Sequence, residues 1–527
     1  MTDGADNSQE HKKTYYITTA IDYPNAEPHI GHSLEKVAAD VVARYHRLQG
    51  RETYFSIGLD ENSQHVVKAA RAHSVDIPTW IDRMDVAFRA AWQKLDISYD
   101  RWIRTTEPGH VRASQEMFRR AQAAGDIYRS TYSGWYCPNC NTFYSDDELV
   151  EGRCPNHPSL QPEWIEEENY FFALTRYSDR LLAYIQEHPE FIVPDVRRAE
   201  VLGTLRQGLR DFAVSRPANR IDEAWGIPVP GDSSQVIYVW FDALTNYLTA
   251  VGFPDNPAQF ARFWPADAHV IGKDIIRFHC IYWPAMLLSA GLPLPRQVAV
   301  HGFLTLEGQR ISKTAGNIVE PVELVNEFGV NAVRYYLLRN LSFASDGNFS
   351  RTRLIQSYND ELAKDLGNLL NRVVSMIGRY RSGTIPAPGP IGDRERDVQR
   401  VAAQARQNAE TALEAWNPGE ALQAIWTLVR RANRYLEESK PWKLASQPEQ
   451  AAELNTVLYT SAEALRLLTI YLSPFIPDAA QRMAVQLGLG EIRPAAWTSE
   501  GTWGSRTLGS VHPGKVIFPR IESGKSA

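Results

Sequence analysis

The sequence predicts an α/β fold: a doubly wound, Rossmann-like parallel sheet, interrupted by a cysteine-bearing insertion and followed by an α-helical bundle. Three observations carry this expectation. The chain opens with a strand, a loop, an amphipathic helix and a second strand, the order of a βαβ unit. From about 128 to 227 paired cysteine turns, an acidic run and many Pro and Trp break the alternation, which then resumes. Beyond about residue 359 strand patterns vanish and helical spacing takes over.

The elements follow in order. Residues 15–21 (YYITTAI) are β-branched and aromatic, as a buried strand is. A loop with Pro24, Asn25 and Pro28 leads to a helix over 31–46, with Leu34, Val37, Ala38 and Val41 on one face. A second strand over 53–57 ends at Gly58. After the insertion, strands are expected at 236–240 (VIYVW), 269–271 and 297–300, the last running into His301-Gly302-Phe303 and a glycine-bounded loop, 308–317. The apolar run 281–292, with Pro284, fits a buried helix start. Helices are expected over 360–380 and around 396–416, 419–439 and 450–472, the last with a stripe of Leu454, Val457, Leu458, Leu465, Leu468 and Leu472. The linker SGTIPAPGPIGD separates the first of them from the rest. The expected organisation is a disordered tail (1–13), a first core half (14–127), the insertion (128–227), a second core half (228–305), the loop with a connecting region (306–358) and the bundle (359–527).

A chain of 527 residues suggests about three or four domains. With 44% apolar and 22% charged residues it excludes extended disorder, a collagen-like chain and a disulfide scaffold. Lys and Arg number 56 against 62 Asp and Glu, a net charge of −6, which excludes a charge-only nucleic-acid binder but not an enzyme with local basic patches. The polar opening MTDGADNSQEHKK lacks the apolar core of an export signal, and no run of ~18 apolar residues occurs. A cytoplasmic protein with no membrane span is expected.

Three residue groups carry chemistry. Cys137-Pro-Asn-Cys140 and Cys154-Pro-Asn-His157 form two C-x2-C/H turns. Such turns bring four soft ligands to one tetrahedral point, which suits one structural Zn²⁺; the competing reading is buried thiols beside a surface histidine. Cys280 stands apart as a core thiol. Pro28-His29-Ile30-Gly31-His32 sits between strand and helix, where helix N–H groups, the macrodipole and two imidazoles favour phosphate, and Gly31 opens close approach; solvated loop histidines are the plain alternative. The loop Gly308–Gly316 holds Arg310, Ser312, Lys313 and Thr314 between glycines. Such a loop can swing a lysine onto a polyphosphate, although a solvated basic loop reads the same way.

Together, in this order, these motifs resemble the class I aminoacyl-tRNA synthetases, and among them the methionyl-tRNA synthetases. The resemblance runs from about Tyr15 to beyond Trp442 and rests on the HIGH tetrapeptide, a variant KMSKS loop, the knuckle, VIYVWFDA and IGKDIIRFH. It implies an enzyme that activates L-methionine with ATP and transfers it to tRNA(Met). His29, His32, Lys313 and Arg310 would be catalytic; Gly31, Gly272, Asp274, Ser312 and Lys313 would bind ATP with Mg²⁺, Asp274 facing the ribose. Ile21, Tyr23, Trp240, Ala243, Tyr247, Ile275 and His279 would form the methionine sleeve, and Asp60 would hold its α-ammonium. The zinc knuckle would shape the path of the acceptor stem. Asn368, Arg372, Pro441 and Trp442 would meet the anticodon, and Arg430, Arg431 and Arg434 either hold phosphates or solvate a helix face.

The chain departs from the family at several places. Arg310 and Ile311 replace the first lysine and the methionine of KMSKS, Asn62-Ser63 stand where His-Gly is common, and Asp22 and Pro24 also differ. Another class I synthetase, or a non-catalytic tRNA-binding paralogue, remains an alternative. The chain stops soon after the bundle, so no appended dimerisation domain and a monomer are expected.

Overall fold

The computed structural model describes residues 13–137, 142–220, 224–306, 308–310 and 319–522. The tail expected to be disordered lies outside them, apart from Lys13.

Six parallel strands form the central sheet, in the spatial order Arg101–Arg104, Glu52–Leu59, Thr14–Thr19, Ala268–Gly272, Val298–His301 and Ile192–Val193. All six residues of Thr14–Thr19 are buried, as a strand covered on both faces demands. From this strand the chain winds outward on one side through Glu52–Leu59 and on the other through Ala268–Gly272. The reversal makes a crevice at the carboxyl ends of these two strands, where ligands of doubly wound sheets bind. Gly58 is required there, because a Cβ would meet the Ile103 carbonyl oxygen of the next strand at 2.2 Å.

Helix Ile30–Leu48 follows the first strand and buries Leu34, Val37, Ala38 and Val41 against the sheet. Arg334, fully buried on helix Val330–Arg339, fixes it from the other side. Its guanidinium pairs with Asp40 at 2.7 Å and donates to the carbonyls of Leu95, Pro474 and Phe475. One buried cation thus joins the helix that opens at the crevice, the sheet layer and the bundle. A continuous apolar core runs from Ile17 and Val37 through Tyr335 to Leu465 and Leu468.

The segment 128–227 carries a four-stranded antiparallel sheet, in the order Thr142–Tyr144, Ile127–Cys137, Glu163–Phe172, Phe212–Ala213. Its strand Ile192–Val193 also adds the edge of the central sheet. The expected strand at 236–240 needs correction. The strand is Asp232–Ile237, antiparallel in a separate three-stranded sheet, and Val239–Leu244 is a helix begun by hydrogen bonds from Phe241 and Asp242 to the Tyr238 carbonyl. A short apolar run has no period long enough to separate strand from helix.

From Arg351 to Gln486 the structure is mainly helical, with Asn368–Arg381, Asp393–Glu414, Pro418–Ser439 and Ala451–Leu472 as the long members, and the described residues beyond are largely irregular apart from Ala496–Ser499. Among the described residues no helix is long and apolar enough to cross a membrane.

Candidate active site

A cavity of about 510 Å³ occupies the crevice. It is lined from the first strand's end by Ile21, Asp22 and Tyr23, from the next helix by His29, Gly31, His32 and Glu35, and from the second strand by Asp60. Trp240, Ala243 and Tyr247 close one wall, Gly272, Asp274, Ile275 and His279 another, and His301 to Leu304 the rim. The residues expected for catalysis, ATP or methionine that lie outside the 308–316 loop all line it.

His29 caps helix Ile30–Leu48, and its Nδ1 accepts from the Gly31 N–H at 3.1 Å. The His32 Nδ1 accepts from the His29 N–H at 3.2 Å, and the rings lie 4.0 Å apart. An imidazole accepting at Nδ1 carries its proton, when neutral, on Nε2. Each ring therefore carries its proton on Nε2. Lost hydration and the nearby Lys36 charge hold His32 near 4, so it is neutral at pH 7. The expectation of free helix N–H groups is corrected here. Ile30 N–H donates to Val319, Gly31 to the His29 ring and His32 to the His29 carbonyl. Gly31 has a further, local reason: a Cβ would strike the His29 ring at 2.8 Å. Anion attraction falls to the imidazoles and the dipole.

The sleeve is aromatic. Trp240 stacks on Phe278 at 3.8 Å and meets Tyr23 edge-on at 6.2 Å. The Tyr247 hydroxyl lies 2.6 Å from His279 Nε2, while His279 Nδ1 lies 3.0 Å from the Ile275 carbonyl. That carbonyl can only accept, so the proton sits on Nδ1 and Nε2 accepts from Tyr247. Burial holds His279 near 4. Such a wall suits a long, unbranched, polarizable chain.

Asp60 is buried, and its Oδ1 has no hydrogen-bond partner among the described residues. Burial and the charge of Asp242 push its carboxyl well above the usual range. A buried carboxyl with one oxygen left over, the group otherwise accepting from the Asn62 backbone, calls for a cation from the ligand.

Sequence reasoning missed a charge network beneath the crevice. Lys36 Nζ lies 2.7 Å from Glu35 and 3.2 Å from Asp22, and donates to the Ala20 carbonyl at 2.8 Å. His301 Nε2 lies 3.1 Å from Glu35. Burial would raise Glu35, but Lys36 and His301 outweigh it and hold it at about 2. Burial lifts Asp22 to about 7 even beside Lys36. The Asp22 departure thus comes with a buried cation of its own. Ser63 also has a local use, capping helix Gln64–Ala72 by accepting from His65 N–H at 3.1 Å.

Of the loop, Ser312 and Lys313 lie outside the described residues, as does Ile311. Arg310 ends the short strand Gln309–Arg310, paired with Leu304–Leu306, whose Leu304 lines the cavity.

In the insertion, the ligand atoms of Cys137, Cys154 and His157 lie within 4.8 Å of one another, a group that could hold a metal. His157 Nδ1 is 3.8 Å from each sulfur. A tetrahedral Zn²⁺ with ordinary bond lengths sets S···N at about 3.6 Å, so the three residues fit it. Cys140 lies outside the described residues. Cys280 is a buried core thiol.

In the bundle, the Arg372 guanidinium lies 5.7 Å from the centre of the Trp442 ring and pairs with Glu437 at 2.7 Å. Trp442 is 39% exposed, Asn368 is exposed one turn before Arg372, and Pro441 is buried. Arg431 pairs with Asp397 and Glu438, and Arg434 with Glu438, while Arg430 is exposed.

The family profile "tRNA synthetases class I (M)" matches residues 15–160 and 157–374. The chain belongs to this family. A second profile, the anticodon binding domain of methionyl tRNA ligase, matches 385–522 of this class I synthetase. The methionine–tRNA ligase of Caldanaerobacter subterraneus subsp. tengcongensis is 44% identical over 97% of this chain and 79% of its own length. That of Thermotoga maritima is 40% identical over 97% and 80%. The methionyl-tRNA synthetase of Mycobacterium tuberculosis in complex with methionyl-adenylate superposes with a TM-score of 0.92 at 40% identity, over 96% of this chain and 100% of that one. The synthetase described here is an enzyme of the methionine–tRNA ligase family.

Proposed function

We propose that this synthetase joins L-methionine to tRNA(Met) through residues of the one crevice. The observation that supports this reading is the convergence of a buried carboxyl with one oxygen unpartnered among the described residues, an aromatic sleeve and paired imidazoles on one cavity.

Asp60 holds the α-ammonium, and the thioether lies in the sleeve of Ile21, Tyr23, Trp240, Ala243, Tyr247, Ile275 and His279. Asp274 and Gly272 meet the nucleoside of ATP. The methionine carboxylate oxygen attacks the α-phosphorus, the bond to the bridging oxygen breaks, and pyrophosphate leaves. The protein's part is positioning and charge stabilisation. His29 and His32 donate through Nε2–H to phosphate oxygens, and Arg310, Ser312 and Lys313 close over them. Mg²⁺ bound with ATP would offset phosphate charge. A terminal ribose hydroxyl, the 2′-hydroxyl by class resemblance, then attacks the mixed anhydride and AMP leaves.

Cys137, Cys140, Cys154 and His157 would hold one structural Zn²⁺, bracing the insertion beside the acceptor stem. Trp442 and Arg372 offer a stacked face to an unpaired base, with Asn368 and Pro441 beside them. The reading has the chain acting as a monomer in the cytoplasm.

Methionine-dependent ATP–pyrophosphate exchange tests it. Exchange with methionine and not with leucine or cysteine is expected. Tight tRNA binding with no exchange would replace it with a non-catalytic paralogue.

A further inference from the structure

A second carboxylate stands beside Asp60. Asp242, on helix Val239–Leu244, is fully buried, and protein donors take both its oxygens. His110 Nε2 lies 2.6 Å from Oδ1, and Asn62 Nδ2 donates to Oδ2 at 2.8 Å. His110 is braced in turn by the Thr249 hydroxyl at 3.0 Å from Nδ1. The same Asn62 amide donates to the Thr105 carbonyl at 3.1 Å, just past strand Arg101–Arg104.

Asn62 follows Asp60 by two residues, and Asp242 lies between Trp240 and Ala243, both in the cavity wall. One amide thus ties the loop that carries Asp60 to the helix that carries the sleeve. The two carboxylates differ in availability: Asp242 is spent inside the protein, while Asp60 keeps an oxygen open.

We propose that Asn62 is a positioning residue for methionine, holding Asp60 in register with the Trp240 wall through its hydrogen bond to Asp242. This rests on the reading of Asp60 as the ammonium partner. A charge-assisted bond in a dry site is strong, and losing it leaves Asp242 Oδ2 without a donor. The wall and the ammonium site would then no longer be held together, and small displacements at a reacting centre are costly. Histidine, which the family resemblance puts at this position, also carries an N–H donor.

The test is steady-state exchange with the full-length Asn62→Leu, Asn62→Ser and Asn62→His variants, beside Asp60→Asn. Leu and Ser cannot donate across to Asp242, and a roughly ten- to hundredfold rise in the methionine KM is expected, with kcat and the ATP KM held. Asn62→His should restore most of the affinity. If Asn62→Leu does not fold, Asn62→Ser carries the same expectation. An unchanged methionine KM in the Leu or Ser variant, with Asp60→Asn impaired, would overturn the positioning role alone. Parallel loss of kcat and both KM values, or no rescue by histidine, would also overturn it. An Asp60→Asn variant with a normal methionine KM would instead remove the reading beneath it.

Discussion

Replacing Asp60 by asparagine separates ligand recognition from folding. In the empty protein the Asp60 carboxylate is buried, lacks a partner on Oδ1 and faces the charge of Asp242. Its folded pKa is raised above the unfolded value, so its ionised form costs stability at every pH above the ordinary carboxylate range. Asp60→Asn removes that cost, and the empty variant should unfold at the wild-type temperature or above it. Methionine binding should fail, because the ammonium enters a buried site with no counter-charge. Breaking a buried pair costs about 3–5 kcal/mol, or roughly 150- to 5,000-fold in affinity. At methionine a hundredfold above the wild-type Kd, the wild type gains about 2.7 kcal/mol. A variant weakened about 300-fold gains only ~0.2 kcal/mol from the same addition. Thermal unfolding with and without methionine reads both effects at once. A variant that is still raised by methionine as the wild type is, or that is strongly destabilised when empty, would refute the assignment.

Other outcomes follow from the same geometry. His32→Ala should lower the exchange kcat about 10²–10³-fold with little change in the methionine KM, the usual result of removing one donor from developing charge; a pure methionine KM effect would contradict it. Lys313→Ala should cut adenylate formation by orders of magnitude and leave methionine affinity nearly unchanged, measured by exchange and by titration of methionine. Trp442→Ala should weaken tRNA charging about 5- to 150-fold and spare exchange, on the scale of one lost base stack; equal damage to both would mark a packing residue. Buried His46 and His279 are held at about 3 and about 4, so the unfolded chain binds more protons below its own pKa of about 6.5. His32 and His269 are held low in the same way and add to this effect, while Asp22 and Asp60, raised by burial, oppose it. Stability should therefore fall as pH drops from 6.5 towards 5, by up to ~2.7 kcal/mol per pH unit net, and urea midpoints that do not move in that window would contradict it.

The front of the molecule was readable because its signals are local. The HIGH tetrapeptide, the βαβ order and the C-x2-C/H turns each fit within a few residues. The sleeve positions needed the family resemblance as well, since aromatic residues at those places read equally as core. What the sequence could not show depends on distant pairs. His110 meets Asp242 across 132 residues, Asn62 meets it across 180, and His301 meets Glu35 across 266. Nothing in the spacing of any of these marks it as a partner. Glu35 had one faint signal, its place a single turn beyond His32 on a helix otherwise apolar on that side. The misread strand at 236–240 failed for another reason: five apolar residues fit either period, and only the hydrogen bonds to Tyr238 decide it. The helix N–H groups at His29 were judged by motif alone, whereas the histidine rings and Val319 already use them.

The most direct measurement is a crystal structure of this chain with a non-hydrolysable methionyl-adenylate analogue. The ammonium should lie within hydrogen-bond distance of Asp60, the ribose at Asp274, and the phosphate mimic within reach of His29, His32 and Lys313. An analogue seated outside the crevice, or one whose ammonium faces away from Asp60, would contradict the central claim.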